Sequence, residues 1–473
     1  MMSLPFMIFS LFGALCYKAL CSVLIKRNDN SFVRFLDSFD VFWCLEDDIT
    51  KSTILVAGVV ESSSAEAILQ SIKNKMTYLI RNKKVSKMFC RRYEAYGFYY
   101  WRKNYQIDLD QYIQIVEFAD TIKKCCFADL EGIMTVISDK SFPYDNEGLF
   151  QVLVTKQRVG KYSDERGEYG LIFRIHHSIG DGIALIDLLC RTISDIKRLH
   201  SFDTPIISMP INRKPNISKS IFGMSKKLCE VPVCFIDGAV RQPDSNSLHG
   251  PPLTGKKIFK WTEPDENLLV MVKQIKKSVK NLNFSDVLAI ALSNGMQKYF
   301  LKTMKHIPTD VAVVLPVRLP KSIMLSNDLK LKNDFSVTVL DLPIKGCNRR
   351  MKVKSRCDQL RESASSLTNY YFIKLVCSVL PKKILQNLLN SNQHTLVFSN
   401  LPGPDSLTIC GGNVLKKLVF FVPHRGNTGL CVTAFTYGGV LRFATMADEA
   451  VVTDPEDLRY ILDGMVEEIK QLH

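Results

Sequence analysis

The sequence predicts an α/β fold of two domains. Its 473 residues exceed the roughly 250 to 300 residues at which a single hydrophobic core stops growing. Short apolar runs that are typical of buried strands alternate with segments whose apolar residues recur at helical spacing, which is the pattern of α/β proteins. Prolines concentrate in one region, 201–255. We therefore expect an N-terminal domain at 28–200 and a C-terminal domain at 256–473, joined by a crossover linker at 201–255.

Residues 1–27 are predicted to form a hydrophobic helix that anchors the protein in a membrane. The apolar run 4–25 is long enough to span a bilayer and contains one charge, Lys18. No basic segment precedes the run, unlike in a secretory signal peptide, and Lys26 and Arg27 follow it. The positive-inside rule then places the following chain in the cytosol. A cleaved signal and a helix lying in the membrane interface are the alternatives, because Lys18 weakens a span.

The segment 176–182, His-His-Ser-Ile-Gly-Asp-Gly, carries the candidate chemistry. It follows an apolar run that ends at Ile175 and precedes apolar residues at helical spacing, so it is predicted to turn from a strand into a helix. Alternation along the strand places His176 and His177 on opposite faces, and one ring is expected to face a reacting group. A neutral imidazole, whose reference pKa is about 6.5, accepts a proton from an alcohol that then attacks an acyl group.

Each residue of this segment also has a plainer interpretation. Two histidines in a strand can be a structural pair, and the residues alone leave this and the catalytic base both open. Asp181 is favoured as the cap of a helix that begins near Ile183, with a buried ion pair as the alternative. A metal site is not predicted, because the other histidines form no cluster with ligand spacing and no Cys-x-x-Cys pair occurs.

The second half continues the alternation of strands and helices. Apolar runs at 311–315, ended by Pro316, and at 337–342 are predicted to be buried strands. Residues 265–302 show helical patterns. After a further apolar run at 396–398, the following Asn-Leu-Pro-Gly-Pro is predicted to be a plain rigid loop.

Basic residues dominate the charge of the chain. Lys and Arg number 62 and Asp and Glu 47, which gives a formal net charge of +15. The charges are dispersed and no RNA-binding or zinc-finger pattern occurs, so nucleic acid is not a predicted partner. Basic clusters at 345–356 and 273–280 are favoured as solvated helix faces, with anionic headgroups or the phosphates of CoA as the alternative. Residues 370–389 are favoured as an amphipathic core helix over one that dips into a membrane interface.

The motif His-His-x-x-x-Asp-Gly resembles that of the CoA-dependent acyltransferase superfamily, and the chain is similar to its wax ester synthase/diacylglycerol acyltransferase (WS/DGAT) branch in particular. Further blocks that resemble this family follow in family order: 36–40, 42–43, 141–150, 252–257, 283–289, 316–318, 331–333, 399–404, 436–439 and Asp448. Two positions depart from the family pattern. Ser285 stands before Asp286 where the family usually has asparagine, and Tyr112 stands where many members have histidine.

The resemblance implies two chloramphenicol-acetyltransferase-like acyltransferase domains packed around a central tunnel, preceded by the hydrophobic helix. It assigns the catalytic residues as His177, the general base, with His176 and with Asp181 as the structural acid of the motif. Gly182 is implied to permit a tight turn. The residues implied to line the substrate channel are Ser285, Asp286, Asn400, Pro402 and Gly403.

The implied activity is transfer of a long-chain fatty acyl group from acyl-CoA to a lipid hydroxyl. The product is a wax ester from a long-chain alcohol or a triacylglycerol from diacylglycerol; acyl-CoA is a co-substrate, and no cofactor or metal is expected. The alternatives are a non-catalytic, membrane-tethered protein that binds acyl-CoA or lipid, and an acyltransferase for another acceptor such as an amine. Fourteen cysteines without framework spacing indicate a reducing compartment. The expected location is the endoplasmic reticulum membrane, with the catalytic body facing the cytosol, or lipid droplets.

Overall fold

The computed structural model describes the whole chain except residues 1–2, 48, 84, 118–125, 160–165, 196–229, 235–236, 239, 319–328 and 390–391. The helices are α1 (Ser3–Asn28), α2 (Ser38–Cys44), α3 (Ala65–Arg81), α4 (Leu109–Tyr112), α5 (Leu130–Ser138), α6 (Gly182–Leu188), α7 (Leu268–Ser278), α8 (Phe284–Lys302), α9 (Arg349–Glu362), α10 (Ser365–Val379), α11 (Lys382–Leu389) and α12 (Asp457–Leu472).

The strands are β1 (Phe32–Phe35), β2 (Thr53–Ser62), β3 (Arg91–Ala95), β4 (Phe98–Arg102), β5 (Ile113–Val116), β6 (Phe150–Arg158), β7 (Gly167–His176), β8 (Lys257–Trp261), β9 (Asp310–Val317), β10 (Ser336–Pro343), β11 (Leu396–Pro402), β12 (Leu407–Ile409), β13 (Asn413–Phe421), β14 (Leu430–Tyr437) and β15 (Val440–Asp448). Together with the helices they confirm the predicted α/β fold class.

Two six-stranded sheets form the framework of the two halves. The first has the order β12-β13-β2-β7-β6-β5 and the second the order β10-β9-β11-β14-β15-β8, while β1, β4 and β3 form a small separate sheet. Strand β7 lies in the interior of the first sheet, and nearly all its residues are buried. The strand ends at His176 and α6 begins at Gly182. The motif therefore occupies a strand-to-helix turn, as predicted.

Two strands from the second half of the chain join the sheet of the first half, which the sequence does not reveal. Strands β12 and β13 belong to the second half of the chain, yet β13 pairs with β2 of the first sheet, with Val419 opposite Ala57. A buried hydrophobic cluster also joins β2 to β8 and β14, and it includes Leu55, Phe259 and Cys431. The boundaries 28–200, 201–255 and 256–473 stay a prediction, and the two sheets are built from segments on both sides of the linker.

Two predicted strand ends are wrong. Pro316 lies inside β9, where it is opposite Val337 of β10. The other neighbour, β11, pairs with β9 only at Val313 and Val314, so the edge beyond Val314 is free and a proline without an N–H is tolerated there. Asn400 continues β11, opposite Ala434 of β14, instead of starting a loop.

Candidate active site

His177 lies just after β7 and lines a cavity of about 800 Å³ between the two halves of the molecule. The ring is 7% exposed, and it stacks on Trp43 with 3.8 Å between ring centroids and 14° between the planes. Phe335 of the second half packs against the same ring at 5.9 Å. Aromatic surfaces from both halves therefore fix the plane of the imidazole.

Asn333 fixes which nitrogen of His177 carries the proton. The Asn333 Nδ2 donates to the His177 carbonyl oxygen at 2.7 Å and to Asp40 Oδ1 at 2.9 Å, two partners that only accept. The Asn333 Oδ1 must then face the ring, and it lies 3.1 Å from His177 Nδ1. Nδ1 donates this bond, so the neutral ring has its lone pair on Nε2. Nε2 has no hydrogen-bond partner among the described residues.

Asp40 and Lys87 extend this chain of contacts away from the cavity. Asp40 is fully buried, and its Oδ2 lies 2.7 Å from Lys87 Nζ. Burial raises the pKa of Asp40 to about 6, although Lys87 and the Asn333 amide favour the carboxylate. The network therefore anchors the Asn333 amide from the side opposite the histidine.

Burial keeps His177 neutral. It lowers the pKa of the ring to about 3, and the hydrogen bond to Asn333 opposes this only in part. A neutral imidazole with a fixed Nδ1–H and an open Nε2 is the form that accepts a proton from a bound hydroxyl.

His176 points to the other side of the strand, as the alternation predicts. Its Nε2 lies 3.0 Å from Glu46 Oε1, and Arg92 pairs with the same carboxylate at 2.9 Å. Its Nδ1 accepts the backbone N–H of Ser178 at 3.1 Å. Burial lowers the pKa of His176, so we take the neutral ring to donate to Glu46 while Arg92 supplies the positive charge. His176 is not among the residues that line the cavity.

Asp181 caps α6, which is the interpretation that the sequence favoured. Its Oδ1 accepts the N–H of Ala184 at 3.0 Å, and its Oδ2 accepts the N–H of Asp334 at 3.0 Å. The carboxylate thus ties the start of α6 to the segment that carries Asn333. Asp181 also lines the cavity beside His177.

Gly182 is needed for close packing and not for a turn with positive φ. Its φ is outside the left-handed region, and a Cβ at this position would lie 2.5 Å from Cδ1 of Leu401. We expect Gly182→Ala to lower the free energy of unfolding by about 1 to 3 kcal/mol, because Leu401 must move. The control Gly132→Ala, where a Cβ meets open space within a helix, should be neutral or stabilising. Urea unfolding of both variants measures the difference, and equal midpoints would contradict the packing role.

The other channel candidates divide into two groups. Ser285, Asp286 and Asn400 line a small cavity of about 60 Å³, and Asn400 lines the large cavity as well. The Asp286 carboxylate is occupied, since Arg361 donates to its two oxygens at 2.6 and 3.0 Å. It also accepts the backbone N–H of Asn283 and so caps α8.

Pro402 and Gly403 are not among the lining residues of either cavity. A Cβ on Gly403 would overlap the carbonyl oxygen of Thr436, and the Gly403 N–H donates to Thr436 Oγ1 at 3.0 Å. The absence of a side chain at this glycine therefore allows the backbone after β11 to pass close to β14. The predicted channel role gives way here to a packing role.

Tyr112 packs in the core of the first half. It is fully buried and stacks on Phe150 with 4.6 Å between centroids. It is not a lining residue of the large cavity. The aromatic ring at this departure from the family pattern therefore serves packing.

Several residues of the basic cluster 345–356 form ion pairs with acidic residues of the protein. Arg349 and Arg350 both contact Glu468, and Arg356 pairs with Asp310 at 2.7 Å. The solvated helix face that the sequence favoured is therefore wrong at Arg349, which is buried, because its guanidinium pairs with Glu468 inside the second half. Within the described part of the chain, no group of three or more His, Cys, Asp or Glu side chains is arranged to hold a metal.

Sequence reasoning did not assign a role to three residues that shape the site. Trp43 and Asn333 lie in blocks that resemble the family, which was the available signal, but the partners of their side chains were not visible. Glu46 lies just outside those blocks, and nothing in the sequence links it to His176, from which it is separated by 130 positions.

Known proteins resemble this chain in sequence. Residues 331–473 match the family model of the WS/DGAT C-terminal domain. The wax ester synthase/diacylglycerol acyltransferase 5 of Arabidopsis thaliana is 22% identical over 348 residues, 61% of this chain and 65% of that protein. The chain thus spans just under two thirds of the length of this curated relative.

Solved structures show the same fold. A wax ester synthase/diacylglycerol acyltransferase from Marinobacter aquaeolei VT8 superposes with a TM-score of 0.61 at 14% identity, covering 92% of this chain and 99% of that one. The trichothecene 15-O-acetyltransferase from Fusarium sporotrichioides gives a TM-score of 0.59 at 11% identity, with 92% and 94% covered. The resemblance predicted from the motifs is confirmed: residues 331–473 match the WS/DGAT C-terminal domain, and the chain has the two-domain fold of these solved acyltransferase structures.

Proposed function

We propose that the protein transfers a long-chain fatty acyl group from acyl-CoA to a lipid hydroxyl, either a long-chain alcohol or diacylglycerol. The observation that carries the proposal is His177, whose Nδ1 is fixed by Asn333 and whose ring lines a cavity of about 800 Å³ between the halves. A cavity of this size is within the range of about 300 to 1,000 Å³ that is typical of ligand-binding sites.

The proposed reaction is a direct transfer without a covalent enzyme intermediate. Nε2 of His177 takes the hydroxyl proton while the oxygen attacks the thioester carbon. The C–S bond then breaks, and the His177 imidazolium returns the proton to the departing CoA thiolate. The ester and free CoA leave, and the ring is again neutral.

The cavity wall favours lipid substrates. Apolar side chains from three separate regions of the chain line it, among them Trp43, Phe335 and Phe372. The apolar part of this lining binds alkyl chains by burying apolar area, and charged residues such as Asp181, Arg241 and Arg425 line the same cavity. The proposal includes a location at the endoplasmic reticulum membrane or at lipid droplets, with the catalytic body in the cytosol.

Product analysis tests the proposal. The full-length protein is incubated with labelled palmitoyl-CoA and, in separate reactions, hexadecanol, diacylglycerol or a long-chain amine. Ester from hexadecanol or diacylglycerol is the expected product, and the faster acceptor identifies the substrate. Amide alone would contradict the acceptor class, and binding of acyl-CoA without any product would favour the lipid-binding alternative.

The pH dependence follows from the low pKa of His177. Burial lowers this pKa to about 3, so the base is unprotonated at any pH well above that value. We expect kcat/KM to show no acid limb at the ordinary histidine pKa of about 6.5. A profile of kcat/KM from about pH 5 to pH 8 measures this. A limb near 6.5 would show that His177 is accessible to water in the working enzyme, contrary to its burial here.

Asn333 is expected to act through the orientation of His177. Asn333→Ala removes the acceptor for Nδ1–H and frees the ring to rotate or change tautomer, so kcat should fall about 10²-fold. The KM for acyl-CoA should change little, because the substitution removes a contact with His177 and not one with the acyl group. Steady-state kinetics separates the two constants, and a rise in KM at constant kcat would instead assign Asn333 to substrate binding.

A further inference from the structure

Helix α1 is not free to cross a membrane as a whole. Among the described helices it alone is long and apolar enough to span, over Phe9–Asn28. Its inner stripe, however, packs on the body: Cys21 and Ile25 are 1% and 2% exposed. Lys18 Nζ donates to the carbonyl oxygen of Ser378 in α10 at 2.7 Å. The single charge inside the apolar run is thus satisfied by the protein.

The part of α1 before Lys18 is too short to span. Residues 3–17 form about 22 Å of helix at about 1.5 Å per residue, whereas the hydrocarbon core of a bilayer is about 30 Å thick. A transmembrane α1 would have to release Lys18 from Ser378 and place a buried stripe in lipid. The packing therefore favours a helix that lies along the body.

The outer face of α1 continues into α10 and α11. Lys382 N donates to the carbonyl oxygen of Gly97 in the β3–β4 turn at 2.8 Å, and Tyr17 of α1 donates to Tyr96 in the same turn at 3.3 Å. These bonds place α1 and α11 beside one hairpin tip, and the bond from Lys18 to Ser378 joins α1 to α10. The large apolar side chains that these three helices expose are Phe9, Phe12, Leu15, Leu20, Val23, Leu367, Tyr371, Leu375, Ile384 and Leu388.

The charged residues that α1, α10 and α11 contribute are all basic. Neither 3–28 nor 365–389 contains an Asp or Glu, although the chain has 47. The basic residues of the two segments are Lys18, Lys26, Arg27, Lys374, Lys382 and Lys383. Lys382 pairs with Glu94 of β3 at 2.7 Å and Lys18 is bonded to Ser378, so the attraction to anionic lipid is assigned to Lys26, Arg27, Lys374 and Lys383. Apolar side chains bordered by lysines and exposed tyrosines are the pattern of a surface that enters the headgroup region of an anionic membrane.

We propose that α1, α10 and α11 form one membrane-docking surface, with α1 lying in the plane of the lipid headgroups and not crossing the bilayer. The active-site cavity opens beside it. Leu388 is 45% exposed on this face and also lines the cavity, as do Phe372 and Ile373 of α10. If the proposed function holds, the lipid acceptor enters here from the membrane without passing through water.

Vesicle flotation tests the docking surface without any substrate. The full-length protein is mixed with phosphatidylcholine vesicles and with vesicles that also contain phosphatidylserine. We expect binding that is stronger with phosphatidylserine, and a double variant Leu375→Asn, Ile384→Asn should bind about tenfold more weakly because apolar area is lost. The matched control Val270→Asn, Met351→Asn changes residues on α7 and α9 that are at least as exposed, 51% and 74% against 50% for Leu375 and 51% for Ile384, and it should bind like the wild type.

Equal binding by wild type and double variant, with circular dichroism showing both folded, would overturn the surface. Absence of vesicle binding by the wild type would also overturn the membrane-docking surface and would favour a protein partner for it. Because flotation needs no turnover, this result is independent of whether ester is formed.

A glycosylation tag tests the orientation of α1. The acceptor sequence is fused to the N-terminus or to the C-terminus, and each protein is translated with microsomes. We expect neither tag to be modified while the protein sediments with the membranes. Modification of either tag would show that α1 crosses the bilayer and would overturn the in-plane arrangement. A tagged protein with a known lumenal N-terminus serves as the positive control.

Discussion

Replacing His177 by alanine is expected to lower kcat/KM for acyl transfer by about 10² to 10⁴-fold, the usual contribution of a general base. The substitution removes the group that takes the hydroxyl proton but leaves the entrance and the aromatic wall of the cavity in place. Binding of acyl-CoA should therefore persist. Initial rates of ester formation and equilibrium binding of acyl-CoA measure the two properties on the same preparation.

A suitable control is His306→Ala, which changes an exposed histidine outside the cavity. It should retain wild-type rates. The folded state of His177→Ala is checked by its unfolding midpoint, since removal of a ring stacked on Trp43 leaves a void that costs some stability. A folded His177→Ala protein with wild-type rates would contradict the proposed mechanism.

Replacing Asp286 by alanine is expected to lower the free energy of unfolding by about 3 kcal/mol, because it breaks a buried ion pair and leaves the Arg361 guanidinium with only the half-exposed carboxylate of Asp358. Asp286 is fully buried, and both its oxygens accept from Arg361. It also caps the first turn of α8 through the N–H of Asn283. Urea unfolding followed by tryptophan fluorescence gives the change.

Asp358→Ala is the matched control for Asp286→Ala. Asp358 also contacts Arg361, at 2.6 Å, but its side chain is 47% exposed. An exposed ion pair contributes about 1 kcal/mol or less. We therefore expect a small effect at Asp358 and a large one at Asp286. Equal stability of both variants, with activity lost only in Asp286→Ala, would instead support the channel role that the sequence resemblance implied.

Local patterns in the sequence predicted local structure well. The apolar run before the motif becomes β7, and Asp181 caps α6 as N-cap preference indicates. Alternation also placed His176 and His177 on opposite sides of the strand. Each of these predictions depends on residues within a few positions of one another, where backbone geometry decides the outcome.

Contacts between distant segments could not be predicted. The partner of His177 Nδ1 is Asn333, 156 positions away, and Asn333 reaches Asp40 across 293 positions. The pairing of β13 with β2 depends on packing between sheets, and an apolar run does not specify which sheet it joins. Gly182 shows the same limit, because its need for glycine comes from Leu401 in another half of the chain.

Helix α1 shows how a composition can fit two arrangements. Its length and apolar content satisfy the requirement for a span, and the sequence favoured an anchor. The bond from Lys18 to Ser378 is a tertiary contact that no local pattern contains. Lys18 weakened the prediction of a membrane span, and its bond to Ser378 is evidence that α1 packs on the body.

Chemical rescue tests the role of His177 as the base most directly. The His177→Ala protein is assayed for ester formation from palmitoyl-CoA and the preferred acceptor at increasing concentrations of imidazole. Removal of the His177 ring leaves a space next to Trp43 that the added imidazole can occupy. We predict that the rate rises with the concentration of neutral imidazole and that wild type shows no such rise. A rate that stays at the uncatalysed level at every imidazole concentration, in a variant that still binds acyl-CoA, would contradict it.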